Sequence, residues 1–220
     1  MRPSDEYVSP SDFRAILDGA TGERAVSEFL GRKPHVLYWS LCRIGGHTRF
    51  VFREFPLGSS YVADFAVLNS YSGVWEVKFV ELEPVDEPPF TKGGVVAKRL
   101  NGALKQVGDW ADYFEMHKEQ VRADLVRWAA DRDLLCYSEG DRPSNFSGNL
   151  LADPRTNLHE SFHIFIGRRE KLTEDEHKRK GQFQRRQHIE VASYDRMLDV
   201  VSERYKNADY WLRQDESGDG

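Results

Sequence analysis

The chain has 220 residues, of which 40% are hydrophobic, and a formal net charge of −5. It can therefore bury one sizeable core and is short for two, and its negative charge argues against a protein that coats nucleic acid through bulk positive charge. No segment approaches the roughly twenty apolar residues of a membrane span, so we expect a cytoplasmic protein without a membrane partner. Cys42 and Cys136 have no CxxC spacing, which argues against a zinc site or a disulfide framework.

The first half of the chain changes from helical to strand-like patterning. Two short helices are predicted within 11–19 and 22–34, and the second ends before Pro34. Apolar residues then alternate in three segments joined by turns, which predicts an antiparallel meander: 47–57, 60–69 and 72–83. A Pro- and Gly-rich loop at 83–94 ends the third strand.

The second half returns to helical spacing and then mixes element types. Apolar residues step by three or four from about 95 to 130, which predicts a long helix. A polar loop, a buried strand and a short strand running into a helix follow, at 138–160, 162–169 and 188–205. We therefore predict an α/β or α+β fold with a small mixed sheet flanked by helices. One domain at 11–213 would lie between a flexible N-terminus at 1–10 and a disordered tail at 214–220.

Charged residues interrupt two of the predicted strands. Glu76 and Lys78 share one face of the third strand because side chains alternate along a strand. Asp64 lies on the preceding strand, and the turn between the two could bring it beside Glu76. Two adjacent carboxylates repel unless a cation lies between them, and Mg²⁺ uses one or two carboxylates with waters and a phosphate oxygen. The pattern is therefore compatible with a metal site at Asp64 and Glu76, where Lys78 would stabilise developing phosphate charge.

A second interpretation of the same residues is a buried salt-bridge network. An E-x-K triplet alone favours this structural interpretation. Side chains from two predicted helices add weight to the metal site, because Glu23 borders the apolar stripe of the early helix and Gln106 and Arg99 share one flank of the long helix. All three would then lie near the sheet that carries the acids.

Positive charge is concentrated near the C-terminus, in the segment 167–188. It contains eight basic and four acidic residues, a pattern that suits either a DNA-contacting surface or a solvated helix. The candidate DNA contacts, in addition to Arg99, are Lys178, Arg179, Lys180, Arg185 and Arg186.

The order of these residues resembles the PD-(D/E)XK nuclease superfamily, and within it the chain is similar to the Shedu anti-phage defence nuclease domain. The stretches that carry the resemblance are SEFLGRKPHVL (27–37), VADFAVL (62–68), VWEVKF (74–79), ALKQVGDW (103–110), FIGRRE (165–170) and SYDRML (193–198). The resemblance implies a restriction-endonuclease-like core in which Asp64 and Glu76 are metal ligands, Lys78 is the catalytic lysine, and Gln106 and Glu23 complete the site. Ala63 departs from the proline that often precedes the aspartate.

The function implied by the resemblance is a metal-dependent DNA endonuclease or nickase in phage defence, with Mg²⁺ or alternatively Mn²⁺ as cofactor. DNA is the expected partner, and the protein is expected to form a homo-oligomer. Only about twenty residues precede Glu23, whereas Shedu-like proteins commonly carry an N-terminal region, so a partner protein could supply a sensing domain. Two alternatives remain open: a nucleic-acid-binding or assembly module without turnover, and an interaction protein whose acids are structural.

Overall fold

The computed structural model describes residues 8–42, 48–71, 73–135 and 148–216. Six helices, five strands and a short 3₁₀ turn at Arg169–Lys171 occur within these ranges. The helices are α1 (Pro10–Gly19), α2 (Arg24–Arg32), α3 (Pro34–Leu41), α4 (Lys98–Asp131), α5 (Glu174–Gln187) and α6 (Asp195–Glu216). The strands are β1 (Thr48–Leu57), β2 (Tyr61–Tyr71), β3 (Val74–Leu82), β4 (Leu158–Phe165) and β5 (Ile189–Ala192).

The five strands form one mixed sheet in the order β1-β2-β3-β4-β5. The first three are antiparallel neighbours, whereas β4 pairs parallel to β3 and β5 parallel to β4. The long helix α4 connects β3 to β4, as a parallel pair requires a crossover. The predicted meander and the predicted mixed sheet with flanking helices are thus confirmed.

Helices cover both faces of the sheet and bury two apolar clusters. On one face, α4 contributes Val107, Trp110 and Phe114, which pack with sheet residues such as Trp75 and Phe79. On the other face, the buried residues of α1, α2, α3 and α6 pack against β-strand residues that include Val51, Val67, Val80 and Phe165. This second layer will be called the four-helix face.

The predicted first two helices and the long helix are confirmed, but α3 was missed. Pro34 was interpreted as a stop after the second helix, whereas in the structure it occupies the first turn of α3. Proline is tolerated there because the first helical N–H groups have no intrahelical partner. The predicted N-terminal segment lies largely outside the described residues, and α6 extends to Glu216, beyond the start of the predicted tail.

The alternation of side chains between the two faces of the sheet is interrupted once in β1 and once in β2. The two interruptions lie opposite each other in the sheet. Phe52 and Phe55, three residues apart, both pack on the α4 face, as do Ala63 and Ala66 on β2. Glu54, between the two phenylalanines, has a φ of 55°, which is uncommon for a residue with a side chain. Strained backbone of this kind is found preferentially at functional sites. The break occurs at the level of Asp64.

No helix in the described ranges combines the length and the apolar character needed to cross a bilayer.

Candidate functional site

Asp64 lies beside Glu81 at the end of the β2–β3 pair. The register pairs Tyr71 with Val74 at the turn and Phe65 with Val80 at the other end, so the next residues along are Asp64 and Glu81. Asp64 is anchored here because its Oδ2 accepts a hydrogen bond of 2.7 Å from the backbone N–H of Leu82. Two carboxylates from neighbouring strands therefore meet at one end of the sheet.

Further groups converge on this pair from α4, from the start of α2 and from the segment that follows β3. Glu83 follows one residue after the end of β3, and its carbonyl accepts a 2.7 Å hydrogen bond from the Tyr194 hydroxyl. Gln106 on α4 hydrogen-bonds to the carboxyl of Glu81. Glu23 occupies the N-cap position of α2 and acts electrostatically on Asp64, Glu81 and Glu83. We call Glu23, Asp64, Glu81 and Glu83 the acid cluster.

Burial and mutual repulsion perturb the acids of this cluster. Burial, followed by the charges of Asp64 and Glu83, raises the pKa of Glu81 to about 9, although the hydrogen bond from Gln106 opposes the shift. Burial also raises the pKa of Glu83 to about 7 against the opposing charge of Arg99. The pKa of Asp64 is raised by burial, partly offset by the Leu82 N–H. Clustered, partly buried acids with raised pKa values are a typical feature of functional sites.

Two arginines bring positive charge to the edges of the acid cluster. Arg53 on β1 opposes the pKa rise of Asp64, and Arg99 in the first turn of α4 opposes that of Glu83. The Arg99 Nε also lies 3.7 Å from the Glu87 carboxylate, and its side chain is 59% exposed. Glu23 thus lies near Asp64 as expected, whereas Gln106 and Arg99 lie near Glu81 and Glu83 rather than near Glu76. Arg53 was not foreseen.

Glu76 and Lys78, in contrast, lie at the other end of β3. The register places Glu76 opposite Asn69 and Lys78 opposite Val67. Five residues separate Glu76 from Glu81, which is about 17 Å along a strand. The prediction that Asp64 lies beside Glu76 is therefore wrong, and these two carboxylates cannot share one metal ion. Lys78 Nζ instead forms a 2.6 Å ion pair with Glu76 Oε1, and the lysine side chain is only 9% exposed.

The Glu76–Lys78 pair adjoins a second set of partnered polar side chains on the same face of the sheet. Ser161 on β4 is the register partner of Lys78, and its Oγ lies 3.0 Å from His163 Nε2. His163 Nδ1 is 3.1 Å from Glu190, which also contacts Arg196 at 2.5 Å. We call these residues, together with Glu76 and Lys78, the balanced network. Its geometry matches the salt-bridge interpretation of the E-x-K triplet.

The predicted basic cluster lies on α5, where Lys178, Arg179 and Arg185 are exposed. Lys178 is paired with Glu174 and Asp175 of its own helix, and Arg185 Nε donates to the carbonyl of Gly181. Arg179 donates to the carbonyl of Gly94, in the loop that follows Glu83. Burial lowers the pKa of Lys180 to about 8. The side chain of Arg186 lies outside the described residues. The α5 helix therefore contacts the loop between the acid cluster and α4.

The family comparison covers most of the chain. A family model described as Shedu protein SduA, C-terminal, matches residues 20–198. The chain belongs to the Shedu family. The matched range includes the whole acid cluster, and membership of this family suggests a role in anti-phage defence. A search of curated proteins found no match.

Within this Shedu domain, the residue two positions after the acid beside Asp64 is a glutamate. The resemblance to PD-(D/E)XK nucleases implies an acid followed two residues later by lysine, and the triplet with that pattern is Glu76-x-Lys78. The acid that adjoins Asp64 is Glu81, and Glu83 stands where the lysine would be. The E-x-K pattern therefore points to Glu76, whereas the position beside Asp64 points to Glu81.

Residue counting along the hairpin could have located Glu81 from the sequence. Partners in an antiparallel hairpin lie equally far from the turn, and Asp64 and Glu81 are each seven residues from the Tyr71–Val74 pair. The lysine of the triplet drew attention to Glu76 instead. Tyr194 and Arg53 carried no sequence signal, because only the packing of β1 and α6 brings them to the acids.

The donor chemistry of the acid cluster fits a hard divalent cation. No group of three His, Cys, Asp or Glu residues in the described ranges has a ready-made metal-binding arrangement. Mg²⁺ does not need one, since it commonly binds through one or two carboxylates together with waters and substrate phosphate. Asp64 and Glu81 provide two such carboxylates, and a cation between them would favour their charged forms, which burial and nearby acids disfavour.

Proposed function

We propose that this Shedu domain is a divalent-metal-dependent DNA endonuclease or nickase with a PD-(D/E)XK core, acting in anti-phage defence. The observation that carries the proposal is the acid cluster, in which Asp64 and Glu81 meet as half-buried carboxylates, and the charge of Asp64 acts on Glu81. Such a site costs stability when empty of cations and gains it when a cation binds. In this proposal Asp64 and Glu81 hold Mg²⁺ or Mn²⁺, and Glu76 does not.

The residues around the metal ligands Asp64 and Glu81 have different proposed roles. What Mg²⁺ supplies when bound is Lewis-acid stabilisation of the charge that develops on phosphate. Gln106 orients the Glu81 carboxyl through its hydrogen bond. Tyr194 fixes the chain at Glu83, since its buried hydroxyl donates to the Glu83 carbonyl. Glu23 adds negative charge from the start of α2, where a second cation or an attacking water would be attracted.

DNA would approach along the start of α4 and the loop that precedes it. Arg99 is exposed and beside Glu83, which suits contact with a phosphate near the acids. Arg179 ties α5 to Gly94 in this loop, so the basic helix adjoins the same surface. Lys178 is the weaker candidate because it is already paired with acids of its own helix.

A second candidate function is a nucleic-acid-binding or assembly module without turnover. The observation that favours it is Glu83, which places an acid where the superfamily pattern has its catalytic lysine. Such a module would bind DNA without cleaving it. The two functions differ in one measurable property, which is the appearance of new strand ends.

Plasmid cleavage tests the proposed function. Supercoiled DNA incubated with the protein should be converted to nicked or linear forms with Mg²⁺ or Mn²⁺ and remain intact with EDTA. Asp64→Asn keeps the size of the side chain and removes its charge, so it should abolish the conversion. DNA binding without conversion under all metal conditions would favour the second candidate and contradict the nuclease.

A further inference from the structure

The proposed reaction needs a positively charged side chain that the strand residues next to Asp64 do not provide. The scissile phosphodiester is negative, and the residues nearest to Asp64 along the sheet, Glu54 and Glu81, are acids as well. Phosphoryl-transfer sites place fixed positive charge against the phosphate, which supplies much of their rate enhancement. Position 83, where the superfamily pattern has lysine, is glutamate. A cation from another element has to fill that role if the site cleaves DNA.

Arg53 is positioned near Asp64 by contacts with α2. Its Cα pairs with that of Phe65, the neighbour of Asp64, and its guanidinium extends over α2. There Nη2 lies 3.4 Å from Ser27 Oγ, and Nη1 lies only 3.1 Å from where a Cβ on Gly31 would be. Residues 23, 27 and 31 follow at intervals of four on one helix face. From this position, one to two helical turns from Glu23, the charge of Arg53 acts on Asp64.

Arg53 retains unused hydrogen-bonding capacity. Its Nε is buried and has no hydrogen-bond partner among the described residues, and its approach of 3.8 Å to Glu54 is long for an ion pair. Within the described part of the chain, its guanidinium donates one long hydrogen bond, to Ser27 Oγ. Its side chain is nevertheless 36% exposed. A guanidinium offers five N–H donors in a fork that suits phosphate oxygens, and a buried donor without an acceptor is costly.

We propose that Arg53 binds the phosphate of the DNA substrate beside Asp64 and supplies the positive charge that position 83 lacks. This inference rests on the proposed function, since it assigns the substrate-binding cation of that site. Arg99 is less suited to this task because it is more exposed and is shared with Glu87. The contact with α2 is close at position 31, because a Cβ there would push the guanidinium by a few tenths of an ångström.

Four variants test the inference: Arg53→Gln, Arg53→Lys, Gly31→Ala and, as control, Arg155→Gln. Arg155 is an exposed arginine in the loop before β4, near the end of β3 remote from the acid cluster. Thermal melts first establish that each variant is folded. Two readouts follow, the affinity for a short duplex in EDTA as a function of salt, and the single-turnover cleavage rate with Mg²⁺.

We expect Arg53→Gln to lower the salt slope of binding by about 0.9, the value for one phosphate contact. Its cleavage rate should fall by about 10²–10³, as for other lost transition-state donors. Arg53→Lys should keep the salt slope but cleave at least about tenfold more slowly, because an ammonium lacks the planar fork. Gly31→Ala should preserve stability, since alanine favours helix, and still slow cleavage. Arg155→Gln should match the wild type in both readouts.

Each outcome decides between the inference and the function on which it rests. Wild-type cleavage together with unchanged slope and rate in Arg53→Gln overturns the role of Arg53 and leaves the nuclease standing. Wild-type binding without cleavage overturns the nuclease, and the salt slope alone then decides whether Arg53 contacts phosphate. Absence of both binding and cleavage in the wild type overturns both.

Discussion

The two ends of β3 contain similar residues in opposite electrostatic states. At one end, Glu76 and Lys78 neutralise each other within 2.6 Å. At the other, Glu81 and Glu83 follow at the same spacing of two, but both are acids and they face Asp64. Charged residues in and directly after one buried strand thus have two different explanations within eight residues.

Partners, rather than burial, distinguish the two ends. Burial raises the pKa of Glu81, nearby carboxyls raise it further, and the result is about 9. Burial acts in the same direction on Glu190 in the balanced network, but His163 and Arg196 outweigh it and lower the pKa to about 2. Removing one partner from a balanced buried pair destabilises a fold, whereas clustered acids with raised pKa values are typical of functional sites.

The largest expected effect concerns the balanced end. Lys78→Met removes the partner of Glu76 and leaves a largely buried carboxylate without its cation, which should lower the free energy of unfolding by about 3 kcal/mol. For a domain of this size the melting temperature should fall by roughly 6–12 °C. A Glu76→Gln/Lys78→Met double variant should recover part of the loss. If Lys78→Met kept the wild-type melting temperature but lost cleavage, Lys78 would instead be assigned to the active site.

The next effect concerns cation binding at the acid cluster. Mg²⁺ that binds only the folded state stabilises it by about 2.7 kcal/mol at a concentration one hundred times its dissociation constant. The melting temperature should therefore rise with Mg²⁺ in the wild type and in Glu76→Gln. It should not rise in Asp64→Asn. A full Mg²⁺ response in Asp64→Asn, or its loss in Glu76→Gln, would contradict the assignment of the two ends.

A smaller effect concerns pH in the absence of divalent ions. The pKa of Glu81 is about 9 in the fold against an ordinary value of 4.5, so the fold holds this proton more tightly than the unfolded chain. The associated stability is complete below about pH 4.5 and is lost as pH rises toward 9. Glu81→Gln should remove this loss and raise the melting temperature at pH 9 by about 2–4 °C per kcal/mol recovered. A lower melting temperature for Glu81→Gln at pH 9 would contradict the electrostatic account.

The smallest effect concerns the approach of DNA. Arg99→Ala should reduce the salt slope of duplex binding by about 0.9, whereas Lys178→Ala should change it less, because Lys178 is paired with Glu174. Binding isotherms at several salt concentrations measure both slopes. Equal slopes for wild type and Arg99→Ala would remove this helix end from the proposed DNA surface.

Local patterning was sufficient to predict the sheet and most helices. The meander followed from alternation and turns, and α4 from its apolar spacing. The helix α3 was missed because Pro34 can end one helix or begin the next, and the sequence does not distinguish these uses. The deciding information is the packing of α3 on the four-helix face.

The candidate site was predicted in part. Asp64, Glu23 and Gln106 were selected and do converge, because strand neighbours and helix flanks are local properties. Glu76 was selected in place of Glu81 because the lysine two residues later outweighed the register. Tyr194 and Arg53 come from distant elements, and tertiary packing alone brings them to the acids.

The most direct test of this account is the same substitution at both ends of β3. Glu76→Gln and Glu81→Gln each convert one glutamate of the strand to its neutral amide, and both can be compared in plasmid cleavage with Mg²⁺ at equal folded protein. The account predicts that Glu81→Gln loses cleavage by about 10²-fold or more, as expected for a group that acts on transition-state charge, while Glu76→Gln cleaves near the wild-type rate. Cleavage that survives in Glu81→Gln and disappears in folded Glu76→Gln would contradict it.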